Sequence, residues 1–168
     1  MHDYAAILQH ILSQYTLHLD GFHGPMHWAR VQSNGLKVAA VTGADPEIVK
    51  LFALFHDSCR WNEGNDPQHG ERGGNLARSL RGTLVHLDDE RFELLYEACR
   101  LHTDGQTKAP ISIQACWDAD RLDLGRVGTR PNPRYLCSAV ACQLIPWAHA
   151  RAIERAQPRE VLKEWGWK

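Results

Sequence analysis

The chain has 168 residues, a length at which roughly two thirds of the unfolded surface can be buried in one self-sufficient core. Lysine plus arginine number 19 and aspartate plus glutamate 20, so the net charge of −1 excludes broad nucleic-acid binding while leaving room for a local basic pocket. Hydrophobic residues at 43% and charged residues at 23% exclude a disordered chain, and ten histidines are enough to direct the search for chemistry.

The opening residues, Met1 to Tyr15, carry no basic segment ahead of an apolar one, so no secretory signal is expected. No apolar run approaches the ~20 residues of a membrane span; the longest, Ala139 to Ile145, stops at Pro146. Cys59, Cys99, Cys116, Cys137 and Cys142 include no C-x-x-C pair, which argues against zinc-ribbon and thioredoxin-like chemistry and for reduced thiols in a cytoplasmic protein. There is no repeat and no long linker. The expected organisation is a single domain over 1–168, with a motif-bearing core at about 20–130 and C-terminal helices at 133–168.

Helical signals follow one another along the chain. Asp3 to Tyr15 set Leu8, Ile11, Leu12 and Tyr15 at three-and-four spacing. Pro25 suits the first turn of a helix that runs past His27, Val31 and Val38 and stops near Gly43. Asp45-Pro46-Glu47 opens a third helix whose body, IVKLFALFHD, is apolar nearly all round and belongs at the centre. Asn62 to Gly74 reads as loop, followed by a short helix from about Asn75 to Arg81. Asp88 or Asp89 caps a helix with Phe92, Leu95, Cys99 and His102 along one side, and Ile113 to Leu124 is helical again. A long final helix is expected from Pro133 or Arg134, interrupted at Pro146, with a last turn restarting at Pro158. Thr83 to Leu87 alone looks like strand and is too short to build a sheet. The predicted fold is all-α.

The chemistry-bearing residues fall in order: H-W-A-R-V at His27 to Val31, His56-Asp57, His102, and D-A-D-R-L-D at Asp118 to Asp123. His56-Asp57 ends an apolar run, so its carboxylate is drawn toward the core and needs a partner there. A hydrogen bond closing the helix would satisfy that need, and so would a divalent metal. Asp120 and Asp123 are three apart and share a helix face, whereas Asp118 lies about 200° from Asp120 and cannot meet the same ion. Arg30 reads as a buried brace for a ligand or for Asp123.

These pieces resemble the HD superfamily of metal-dependent phosphohydrolases, through H-x-x-R-V at His27 to Val31, His56-Asp57 and A-D-R-L at Ala119 to Leu122. The match spans more than half the chain. The resemblance implies an HD-type helical domain with His27, His56, Asp57 and Asp120 as ligands of a divalent ion, which this donor set leaves open among manganese, iron, cobalt, nickel, zinc and magnesium. His69 and His102 are similar in order to the extra ligands of two-metal branches, in which the aspartate of the pair bridges the ions. Taken alone, His69 could equally be a loop residue and His102 a helix C-cap. The Gly-Tyr-Pro tripeptide of the cyclic-dinucleotide branch is absent.

Arginines follow the ligands: Arg60, Arg72 and Arg121 are the expected phosphate-binding residues, with Arg126 and Arg130 in a glycine-broken loop beyond, although any one of them could instead be a surface arginine paired with Asp66, Glu71 or Asp123. The resemblance and the ligand set together imply hydrolysis of a nucleotide or another small phosphate ester or anhydride, with Asp57 and Arg60 as catalytic residues. A di-iron oxygenase and a non-catalytic nucleotide-binding module are the alternatives. Glu63 and Glu71 read as solvated loop acids, and His23 has no motif around it. Trp147, Trp165 and Trp167 read as packing for the last helices or as the contact of a homodimer.

Overall fold

Capping chemistry sets where the helices begin. Asp3 accepts from the Ala6 amide and starts α1 (Tyr4–Leu12). Gly24 leads into Pro25 and α2 (Pro25–Thr42), which ends on Gly43 at φ 79°, a left-handed conformation that favours glycine. The Asp45 side chain accepts from the Glu47 and Ile48 amides at the start of α3 (Pro46–Phe55). The remaining helices are α4 (His69–Ser79), α5 (Asp89–Leu101), α6 (Ile111–Arg121), α7 (Ala139–Ile153) and α8 (Arg159–Glu164), with 3-10 turns at Leu124–Val127 and Pro133–Tyr135. The computed structural model describes all of residues 1–168, contains no strand, and reduces the β-looking stretch to one isolated bridge between Arg81 and Val85.

α3 is the hub. Ile48, Val49, Leu51, Phe52, Ala53, Leu54 and Phe55 are all fully buried, as a helix apolar nearly all round requires. α2 packs along both α3 and α6, and the approach is close at Gly35, where a Cβ would stand 2.5 Å from Val49 Cγ1 and 3.0 Å from Ala119 Cβ. α4 and α5 form the other large pairing, and α7 and α8 lie against α2. The buried amide of Gln32 joins α8 to α2, donating to Glu164 Oε2 at 2.7 Å and accepting from the Trp165 indole at 3.1 Å. Trp165 is therefore core, while Trp147 is half-buried beneath Lys37 and Arg151.

Three expectations change. The expected loop to Gly74 ends six residues early, because α4 begins at His69 and its glycines face other helices rather than break the chain. The long C-terminal helix begins at Ala139, capped by Ser138, and Pro133–Tyr135 forms a separate turn. It also runs through Pro146, which sits on the exposed side where water can replace the hydrogen bond that proline cannot make.

Candidate metal centre

Four histidines reach one place from four elements. His27 lies on the first turn of α2, His56 follows α3, His69 opens α4 and His102 follows α5, and none is more than 4% exposed. Each ring has its Nδ1 tied to an acceptor. His27 donates to Asp123 Oδ2 at 2.7 Å, His56 to the Phe52 carbonyl at 3.0 Å, His69 to the Asp66 carbonyl at 2.5 Å and His102 to the Cys99 carbonyl at 2.7 Å. Carbonyls and ionised carboxylates only accept, so Nδ1 carries the proton in every ring and Nε2 is the nitrogen turned to the cluster.

The Nε2 atoms come in two pairs, His27 with His56 at 3.2 Å and His69 with His102 at 3.0 Å. Two ring nitrogens face each other favourably only when a proton or a cation lies between their lone pairs. Two nitrogen donors on one ion, each about 2.1 Å from it, are about 3.0–3.4 Å apart at right or tetrahedral angles. Asp57 joins the pairs. Its Oδ2 lies 3.4 Å from His27 Nε2 and 3.5 Å from His56 Nε2, and its Oδ1 lies 3.0 Å from His69 Nε2 and 3.6 Å from His102 Nε2. Asp120 Oδ1, 3.3 Å from His27 Nε2, is buried without a hydrogen-bond partner, an arrangement that is costly unless a cation takes the oxygen. The donor set fits divalent metal, in one cluster of His27, His56 and Asp57 with Asp120 alongside, and a second of Asp57, His69 and His102.

Without an ion, protonation follows the same lines of force. Burial pushes His56 down to about 3. Burial also opposes a charge on His27, but the carboxylates of Asp120, Asp123 and Asp57 outweigh it and raise that ring to about 9. Asp57 is held well below the usual carboxylate range, because the rings of His56, His102, His27 and His69 overcome the effect of burial. Asp120 is lowered in the same way by His27, His56 and Arg126.

Supporting residues fix the ligands. Arg30 makes a two-pronged contact with Asp123, Nε to Oδ1 at 2.8 Å and Nη2 to Oδ2 at 3.1 Å, so His27 is oriented by a carboxylate that is itself neutralised. Asp118 takes no part in the cluster. It accepts from the Cys137 and Ser138 amides and from the Ser138 hydroxyl, holding the approach to α7.

A cavity of about 410 Å³ opens over the cluster, with Asp57, Asp120, His23, Arg60, Arg121 and Arg126 in its walls. Arg60 donates to the carbonyls of Asn62 and Gly64 and sets Nη1 beside the His69 ring, 3.7 Å from Asp57 Oδ1. Arg121 donates through Nη1 to the Tyr135 carbonyl at 2.8 Å, while its Nη2 is buried and unpartnered. Arg72, expected to bind phosphate, is not in this cavity: it donates to both oxygens of Asp66 and to the Cys59 carbonyl, and lies over the Trp61 ring. Its work is to fix Asp66, whose carbonyl holds His69. Arg126 stands there instead, with Nη2 3.9 Å from Asp120 Oδ1 and its other nitrogens on the Phe22 and Asp123 carbonyls.

His23, which had no motif around it, is in the wall of this cavity, and Glu63, read as a solvated loop acid, is its partner. Glu63 hydrogen-bonds His23 Nδ1, and the His23 carbonyl accepts from Trp28 Nε1 at 2.7 Å and from the Tyr15 hydroxyl at 3.2 Å. Glycine at residue 21 leaves Glu63 in this place, since a Cβ there would lie 2.1 Å from Glu63 Oε1 and turn the carboxylate aside. The available signal was the H-x-x-x-H spacing of His23 and His27 on either side of Gly24-Pro25, where α2 begins.

Fold and ligand set together are of the HD type: an all-α scaffold with histidines and aspartates from successive helices gathered on one cluster. A solved structure of a predicted HD superfamily hydrolase from an uncultured Thermotogales bacterium is similar to this chain with a TM-score of 0.67 and 25% identity, over 97% of this chain and 91% of its own. No family model and no curated protein matches the chain.

Proposed function

We propose that this protein is a metal-dependent phosphohydrolase of a nucleotide or another small phosphate ester or anhydride. The observation that carries the proposal is the pair of Nε2 sets gathered on the two oxygens of Asp57. The similar structure described as a hydrolase supports the reaction class, and the arginines of the cavity support phosphate. His27, His56, Asp57 and Asp120 would hold one ion, and His69 and His102 a second one shared through Asp57. Bound there, divalent metal supplies positive charge to the phosphoryl oxygens and acidifies water near neutral pH. Arg60, Arg121 and Arg126 orient the phosphate and offset its charge. In the net reaction a water oxygen bonds to phosphorus and the P–O bond to the leaving group breaks. One water proton passes to the leaving oxygen. Asp57, with both oxygens turned to ring nitrogens, would help to hold both ions rather than act as a free base.

The test is elemental analysis of protein purified without chelator, followed by phosphate release from a panel of esters. Two ions per chain are expected, and Asp57→Ala should lose both metal and turnover while keeping its helical circular dichroism. Full activity in Asp57→Ala overturns the proposal. The same bridged arrangement also suits a di-iron oxygenase; two irons per chain with substrate-dependent oxygen consumption and no phosphate release would decide for that reading.

A further inference from the structure

Two cavities meet at Arg121. The one over the metal cluster and a neighbour of about 390 Å³ share Arg121, Leu124 and Tyr135 as a common wall. The neighbour is completed by Thr129, Arg130, Asn132 and two apolar residues, and has no carboxylate in its lining. Tyr135 is 61% exposed and stands in the wall that the two cavities share. From residue 121 to 134 there are four arginines, and the one acid among them, Asp123, is already taken by Arg30 and His27. The polar lining and the open aromatic therefore face a space that is locally basic in a chain that is close to neutral.

We propose that this second cavity is a leaving-group subsite for a nucleoside, with the phosphate it carries held between Arg121 and Arg126 at the metal cluster. The inference rests on the phosphohydrolase reading above. A volume of about 390 Å³ lies within the usual range for small-molecule pockets. Tyr135 offers a face on which a base stacks, and Thr129 and Asn132 offer hydrogen bonds to its edge or to the sugar. Arg121 lines both cavities, so its guanidinium places positive charge between the metal cluster and the second cavity. Nη1 of the same guanidinium holds the Tyr135 carbonyl, so phosphate and base recognition are tied through one side chain. Hydrolysis breaks the bond between phosphorus and the nucleoside 5′ oxygen and forms one from the water oxygen to phosphorus. One water proton goes to the released hydroxyl and the other stays with the phosphate.

The experiment uses the manganese-loaded full chain and two readouts. Calorimetry follows the binding of adenosine, and kinetics compare kcat/KM for adenosine 5′-monophosphate with that for glycerol 2-phosphate. Tyr135→Ala should weaken adenosine binding about tenfold and reduce the preference for the nucleotide by a similar factor. Val127→Ala, exposed and outside both cavities, should change neither. Equal adenosine binding in the wild type and Tyr135→Ala, or an unchanged preference, overturns the subsite. Adenosine binding that is lost in Tyr135→Ala, with no phosphate released from any ester, upholds the nucleoside pocket and discards the phosphohydrolase reading instead.

Discussion

Arg30 shows how far a single residue reaches into the site. It touches neither cluster directly, yet its guanidinium neutralises Asp123, and Asp123 fixes the ring of His27. Arg30→Met leaves a buried carboxylate without its cation, and losing one partner of a buried pair costs about 3–5 kcal/mol. The expected result in urea denaturation is a large loss of stability, together with a fall in metal affinity of about 10–100-fold because the ligand's orienting partner is disturbed. Arg30→Lys, which restores the charge but not the fork, should recover part of the stability. Stability and metal affinity both at wild-type values in Arg30→Met would remove Arg30 from this role. The brace was legible because Arg30 is three residues after His27 and Asp123 three after Asp120, which sets each pair on one helix face. For Arg72 the sequence left phosphate and a nearby acid as two open readings, because its partner Asp66 belongs to the irregular segment before α4 and no helical or strand period relates the two.

At the scale of elements, the glycines of α4 decide whether the second histidine pair forms. A Cβ on Gly70 would lie 2.2 Å from the Cys99 carbonyl oxygen and 2.9 Å from His102 Nδ1, and one on Gly73 would lie 2.1 Å from the Phe55 carbonyl oxygen. The closest of these contacts are with backbone carbonyls, so α4 itself has to move, carrying His69 away from His102. Gly70→Ala should therefore cost about 1–3 kcal/mol through overpacking, despite the better helix propensity of alanine. It should also lower the metal content from two ions per chain toward one, and retention of both ions would contradict this account. The same glycines explain why α4 was partly hidden in the sequence. Gly70, Gly73 and Gly74 read as loop when only propensity is considered, whereas tertiary contact required them inside a helix. α2, α3 and α5 were legible because their caps are local: Pro25 with Gly43, Asp45 with Pro46, and Asp88. His23 stayed hidden for the opposite reason, since its partner Glu63 is 40 residues away and only the folded chain joins them.

Across the whole molecule, one contribution to acid stability that is independent of the metal cluster lies where α3 meets α5, on the Arg91 guanidinium. Its Nε donates to Asp45 Oδ2 at 2.7 Å and its Nη2 to Glu47 Oε2 at 2.7 Å, joining the first turns of the two helices. Burial would raise the Asp45 carboxyl, but Arg91 and the capped amides prevail and lower it, and Arg91 is the leading cause of the lowering at Glu47. Both folded values lie below the ordinary 3.8 and 4.5, so in acid the unfolded chain binds protons that the folded one does not. Their contribution is fully present above the ordinary values and is lost as the pH falls through the lowered folded ones. His2, which burial lowers from 6.5, costs stability as the pH falls below that value, and His27 and His56 are shifted as well. All of these remain in an Arg91 variant and largely cancel when it is compared with the wild type. Arg91→Met should then be less stable by about 1–2 kcal/mol at pH 7, a charge-assisted pair discounted for its partial exposure. Urea denaturation repeated from pH 7 to pH 3 should show the two curves converging below pH 4.5, with the wild type falling more steeply. A difference that stays constant over that range would mean that Arg91 acts through packing and not through the two carboxylates.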